Sequence, residues 1–291
     1  MSQATVTAEP LLQKPGRSSS LWKHQILAIL ALELRKTLLG RRSLPMYFLA
    51  LMPVAIFVMR AVLALLVTSE LTEDGMGGAS TFFAAVFQSF MLRFAIFFGC
   101  VAVFTNLFRG EVVDRSLHYY FLSPVRREVL AVGKYLSGLV STAVIFTGMT
   151  ILCYFLLYLP HGFQAGWSYF FGGPGLGHLL AYISATLLAC AGYGAVFLAI
   201  GLLFRNPVIP AAAILGWEMI YFLLPSLLKK ISVVHYVISL CPVPVDMGPF
   251  ALIVEPTPAW IGVPGLILFS SVLVGISALI TRRTQIIYGK E

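Results

Sequence analysis

The stretch FFAAVFQSFMLRFAIFFGCVAVFTNL, Phe82 to Leu107, contains a single charge, Arg93. A hydrocarbon layer about 30 Å thick takes about 20 helical residues to cross, at about 1.5 Å of rise each. This run is long enough, and its apolar residues do not alternate as they would on a barrel strand. In lipid the backbone polar groups must be satisfied within the segment, so the run reads as a spanning helix. The 291-residue chain agrees, being 59% hydrophobic and 11% charged, a balance foreign to soluble domains. The fold class expected is an all-α integral membrane protein.

The same criterion selects six spans, residues 44–67, 82–107, 135–159, 179–204, 208–228 and 260–281. Basic residues then orient them. Lys14, Arg17, Lys23, Arg35, Lys36, Arg41 and Arg42 precede the first span, and Arg109, Arg115, Arg126, Arg127 and Lys134 follow the second. Arg205 lies in the fourth connection, and Arg282, Arg283 and Lys290 end the chain. The opposite loops hold only Lys229 and Lys230. The positive-inside rule puts both termini in the cytoplasm of a multi-pass protein. The net charge of +8 is an orientation signal and calls for no nucleic-acid partner.

Around this domain of residues 21–291, three segments read differently. Residues 1–20 are polar, lack the apolar core of a secretory signal, and read as a disordered cytoplasmic tail. Residues 21–42 have an apolar core, 26–32, too short to span and flanked by Lys23, Glu33, Arg35 and Lys36. An interfacial helix fits, with Trp22 as its anchor. Residues 229–259 are apolar but cut by Pro242, Pro244, Pro249, Pro256 and Pro258, and read as a re-entrant helical hairpin at the outer face. Cys100, Cys153 and Cys190 lie in apolar runs and Cys241 in a loop, which suits buried small hydrophobes. The five histidines show no metal-ligand spacing.

The most charged stretch is EVVDRSLHYYFLSPVRREVLAVGK, Glu111 to Lys134. Val113, Leu117, Tyr120 and Phe121 fall on one helical face. Ser123-Pro124 ends that helix and can open another, with Ser123 as N-cap and Pro124 in the first turn. The second helix runs into the third span. The positive-inside rule alone explains the arginines of an ordinary inner loop. Aromatic residues and arginine at a protruding corner suit a docking surface.

The order Glu111, Ser116-Leu117, Leu122, Pro124-Val125, Arg127, Leu130, Gly133-Lys134 resembles the cytoplasmic signature of type-2 ABC (ATP-binding-cassette) transporter permeases. The six-span layout, the interfacial helix and the outer hairpin also look like that family. The resemblance implies that residues 111–134 form a coupling hairpin seated on a separate ATP-binding subunit. Glu111, Ser116, Leu117, Tyr119, Tyr120, Pro124, Arg126, Arg127 and Lys134 would be its coupling residues. It implies no cofactor on this chain, with ATP and magnesium held by the partner subunit. It also implies a homodimer, or a heterodimer with a related permease, in the plasma membrane of a bacterium among its lipids, and an exporter of amphiphilic or large cargo. His118-Tyr119-Tyr120-Phe121 is more aromatic than the family pattern.

Independently of the resemblance, the chain lacks G-x-x-x-x-G-K-[ST]; Gly133-Lys134 and Gly289-Lys290 have neither the upstream glycine nor the following hydroxyl. An intramembrane enzyme is the competing class, yet G-x-S-x-G and H-E-x-x-H are missing too. A stand-alone carrier not coupled to ATP is a third, without evident paired repeats. Within the spans, Arg60, Arg93 and Glu218 are candidates for a pathway, since a mid-membrane charge costs about 2.5–3.5 kcal/mol. Arg93 and Glu218 fall near mid-depth, where they either pair or face a polar cavity. Arg60 lies higher and can snorkel.

Overall fold

The computed structural model describes residues 19–40, 43–66, 75–113, 127–204, 206–220, 225–229, 231–245 and 258–283. Among them every regular element is helical. An N-terminal helix α1 (Ser19–Leu39) precedes α2 (Leu44–Leu66). The next long rod is α3 (Gly75–Val86), a ten-residue π-helix (Phe87–Ile96) and α4 (Phe97–Val113). Then come α5 (Arg127–Tyr158), a 3₁₀ turn (Leu159–His161), α6 (Phe163–Trp167) and a π-helical turn (Ser168–Gly172). After these follow α7 (Gly175–Leu203), α8 (Val208–Met219), α9 (Ser226–Lys229), α10 (Val233–Ile238) and α11 (Ala259–Arg283).

Five helices are long and apolar enough to cross a membrane, bounded at 44–66, 75–108, 127–161, 175–203 and 259–282. Four of them reach past the expected spans, the last by one residue at each end, because the helix continues past its apolar stretch. The segment expected as a span over 208–228 differs more. Its described helix, α8, has 12 residues, about 18 Å at about 1.5 Å each, which by itself does not cross about 30 Å. At Ile220 the backbone turns to φ −102°, ψ 11° and leaves the helix.

Helix α7 is the centre of the bundle. It packs against α4, α5, α10 and α11, and its apolar stretch is 67% buried, against 22% for α2 and for α11. Small residues let helices approach where no water-driven force separates core from lipid. At Gly201 an added Cβ would stand 3.0 Å from the Thr105 backbone of α4, tighter than an ordinary contact, so a larger residue would press on this crossing. The side chains of α2 and α11 that point away from the bundle, such as Leu51, Met59, Leu66, Leu268 and Leu279, are exposed, as suits lipid.

Helix α1 runs beside the start of α5. Ile26 and Ile29 pack on Val129 and Leu130, while Leu27, Leu32 and Leu39 are exposed. Glu33, expected as a flanking charge, is instead buried to 3%. The helix turns Leu27, Leu32 and Leu39 outward beside the exposed Arg35 and Lys36, and its acid inward. The side chain of Trp22 lies outside the described residues.

Candidate functional site

Two buried ionic sites organise the described bundle. The first lies where α1, the end of α4 and the start of α5 meet. Lys134 is wholly buried. Its Nζ donates to Glu33 Oε1 at 3.0 Å and to the Leu107 carbonyl at 2.9 Å, and it sits 5.3 Å over the Phe108 ring. Lys36 Nζ approaches the same carboxylate at 4.0 Å. One residue earlier, a Cβ at Gly133 would stand 2.9 Å from Ile29 Cγ2. Gly133 therefore admits α1 and Lys134 ties it down. Ions removed from water need such compensation, since losing one partner strands the other charge.

Of the expected coupling residues, Glu111 lies in the last turn of α4 and Arg127 opens α5. Ser116, Leu117, Tyr119, Tyr120, Pro124 and Arg126 lie outside the described residues, as does the side chain of Glu111. Lys134 points to Glu33, away from any external surface. Beside it, Glu128 meets Arg282 of α11 at 3.3 Å. Arg282 is largely exposed and Glu128 partly so, a contact worth about 0–1 kcal/mol. The ends of α4 and α11 and the start of α5 thus share one end of the bundle with α1.

The second site is at mid-bundle. Glu218, near the end of α8, is 3% exposed. Its Oε1 accepts the Val233 amide at 2.9 Å; its Oε2 accepts the Val234 amide at 3.3 Å and the Ser232 hydroxyl. Ser232 Oγ in turn accepts the His235 amide at 3.2 Å. These are the amides a helix N-terminus leaves without intrahelical partners, and the positive end of the helix dipole favours a carboxylate there. Glu218 and Ser232 together cap α10.

Arg93 stands on the π-helix, close enough for its charge to act on Glu218. Tyr193 of α7, fully buried, joins the cluster: both Glu218 and Arg93 bear electrostatically on its hydroxyl, which has no hydrogen-bond partner among the described residues. Gln88, one π-turn before Arg93, donates to the Val243 carbonyl at 3.1 Å. π-Helical segments commonly mark functional places in a helix, and this one carries both polar groups that meet the 218–243 region. The sequence brings Arg93 and Glu218 into one neighbourhood, but both carboxylate oxygens are engaged by residues 232–234.

Arg60 is separate from this cluster. Its guanidinium lies 4.9 Å over the Phe82 ring, a cation–π contact, and its charge reaches His161. The cysteines are all free thiols; Cys100, Cys153 and Cys190 are buried. Cys241 is partly buried, and desolvation pushes its thiol up to about 12.

Sequence reasoning missed Glu33, Ser232 and Tyr193. Glu33 carried a signal, an acid set among Ala31, Leu32 and Leu34. Ser232 carried another, a capping residue three before His235. Tyr193 carried none, because a tyrosine in an apolar run looks the same inside or outside the bundle. Neither any protein-family model nor any curated protein sequence matches the chain.

Proposed function

We propose that this chain is the membrane-spanning subunit of an ATP-driven exporter, similar to type-2 ABC permeases, working beside a separate ATP-binding subunit. The observation that carries the reading is the ordered run from Glu111 to Lys134 between the second and third apolar rods. The bundle supports it in one respect. Near Leu107 of α4 and about two turns into α5 the two helices are braced against α1 by Gly133 and Lys134, so a push on the connection between them reaches three helices together.

In this reading the region 208–228 completes a sixth span and 229–259 forms the outer re-entrant hairpin. Both termini are cytoplasmic, in a bacterial plasma membrane. Two copies, or this chain and a related permease, enclose the route. The cargo is amphiphilic or large, and Arg60, Arg93 and Glu218 belong to its path or to the gate beside it. ATP and magnesium bind the partner alone.

The test is affinity capture of the full-length chain from its native membrane in mild detergent. A stoichiometric second chain that binds ATP is expected. Capture without one, together with transport that continues in the absence of ATP, overturns the reading in favour of a stand-alone carrier. Turnover of a lipid or peptide by the chain alone overturns it in favour of an intramembrane enzyme.

A further inference from the structure

At the end of the bundle remote from α1, the chain leaves α5, folds through α6 and the π-helical turn, and re-enters at Gly175. These elements enclose a groove of about 310 Å³, at the small end of the roughly 300–1,000 Å³ range of small-molecule clefts. It is lined by Phe155 and Tyr158 of α5 and by Phe163, Gly166, Trp167 and Phe170. Phe163, Trp167 and Phe171 follow at four-residue intervals with ring centroids 5.7 and 4.5 Å apart. The rim is open outward: Phe163 is 85% exposed.

We propose that this groove holds one acyl chain of an anionic phospholipid, with the headgroup at Arg60. The walls are aromatic, aliphatic or glycine, so they offer an aliphatic chain contact and offer a peptide backbone almost nothing to bond. Tyrosine and tryptophan at a membrane–water boundary are placed for this role. Helix α2 packs against the 3₁₀ turn that follows Tyr158. Across that junction the Arg60 charge reaches His161, whose ring lies 6.3 Å from that of Tyr158. A basic side chain therefore stands beyond His161 from the groove's Tyr158 edge, outside the lining itself. The site is independent of any ATP-binding subunit, so its test stands apart from that of the proposed function.

The full-length protein is reconstituted with Trp167 as its only tryptophan, Trp22, Trp217 and Trp260 being replaced by Phe. The discs are of dioleoylphosphatidylcholine containing equal small fractions of dibrominated phosphatidylglycerol or dibrominated phosphatidylcholine. Brominated phosphatidylglycerol is expected to quench Trp167 severalfold more strongly. Gly166→Leu, at a position where a Cβ meets nothing within 4 Å, fills the groove and should reduce both lipids to shallow annular quenching. Arg60→Gln should abolish the preference and leave quenching itself in place. Equal quenching by both lipids in the starting protein overturns the proposal, as does a phosphatidylglycerol signal indifferent to Gly166→Leu. Loss of the preference on adding inorganic phosphate assigns Arg60 to a soluble anion and overturns it as well.

Discussion

The two buried carboxylates among the described residues are held in opposite ways. Glu33 is met by lysine ammonium groups, that of buried Lys134 at 3.0 Å and that of Lys36 at 4.0 Å. Glu218 is met by a fixed cradle, the Ser232 hydroxyl and the amides of Val233 and Val234. A lysine stem has several rotatable bonds and strong donors in any direction. Backbone amides at a helix start have one direction only. The first arrangement joins two helices yet can follow a small displacement between them. The second fixes α10 to α8 and tolerates little.

That contrast yields a ranked set of expectations. The largest is at the first joint: Lys134→Met strands Glu33 and should cost about 3–5 kcal/mol. The companion change Glu33→Met should recover most of the loss, read as thermal unfolding of the purified chain in detergent. If the double variant is as damaged as the single, the joint is not an isolated ion pair.

At the second site Glu218→Leu leaves the Ser232 hydroxyl and two buried amides without an acceptor, and about 1–3 kcal/mol should be lost for each group so exposed. Glu218→Gln keeps one acceptor and should fall between Leu and wild type in the same melting assay. Exchanging Arg93 and Glu218 is not expected to rescue either single reversal. A guanidinium at position 218 has no acceptor to offer three donors. Recovery in the double exchange would show that the Arg93 charge, rather than the α10 amides, is the principal partner of Glu218.

Smaller effects follow. Ser232→Ala removes one capping acceptor and should cost about 0.5–2 kcal/mol, seen as faster hydrogen exchange at the start of α10. Arg282→Ala breaks an exposed pair and should change stability by about 0–1 kcal/mol, less as salt rises. Maleimide labelling should find Cys241 slow near neutral pH, because its thiol at about 12 leaves little thiolate, and faster as pH climbs toward that value.

The same contrast explains what the amino-acid sequence reveals and what it conceals. Five long helices are legible because lipid imposes a run of about 20 apolar residues, a local property. Their ends are less so: residues 75–81 continue α3 beyond the apolar stretch, where nothing in the composition forbids a loop, whereas the start of α5 over 127–134 is the helix expected to run into the third span. The stop of α8 at Met219 is hidden, since the residues after it are as apolar as those before. The partners of Glu218 lie 14 to 16 residues on, and no periodicity announces them. Lys134 was legible as part of a cytoplasmic signature and Glu33 as a flanking charge; that they meet depends on how α1 lies against α5. The π-helix around Arg93 leaves no mark in a row of phenylalanines.

The central claim is that residues 111–134 pass force from an ATP-binding subunit to these braced helices. ATP hydrolysis by the purified assembly, reconstituted in lipid with and without changes at the corner, tests it most directly. Tyr120→Ala with Pro124→Ala should release the ATP-binding subunit and abolish coupled hydrolysis, while the melting temperature of the membrane chain stays within a few degrees of wild type. A wild-type chain that purifies with no ATP-binding subunit, or a double variant that hydrolyses ATP at the unaltered rate in a complete assembly, contradicts the account.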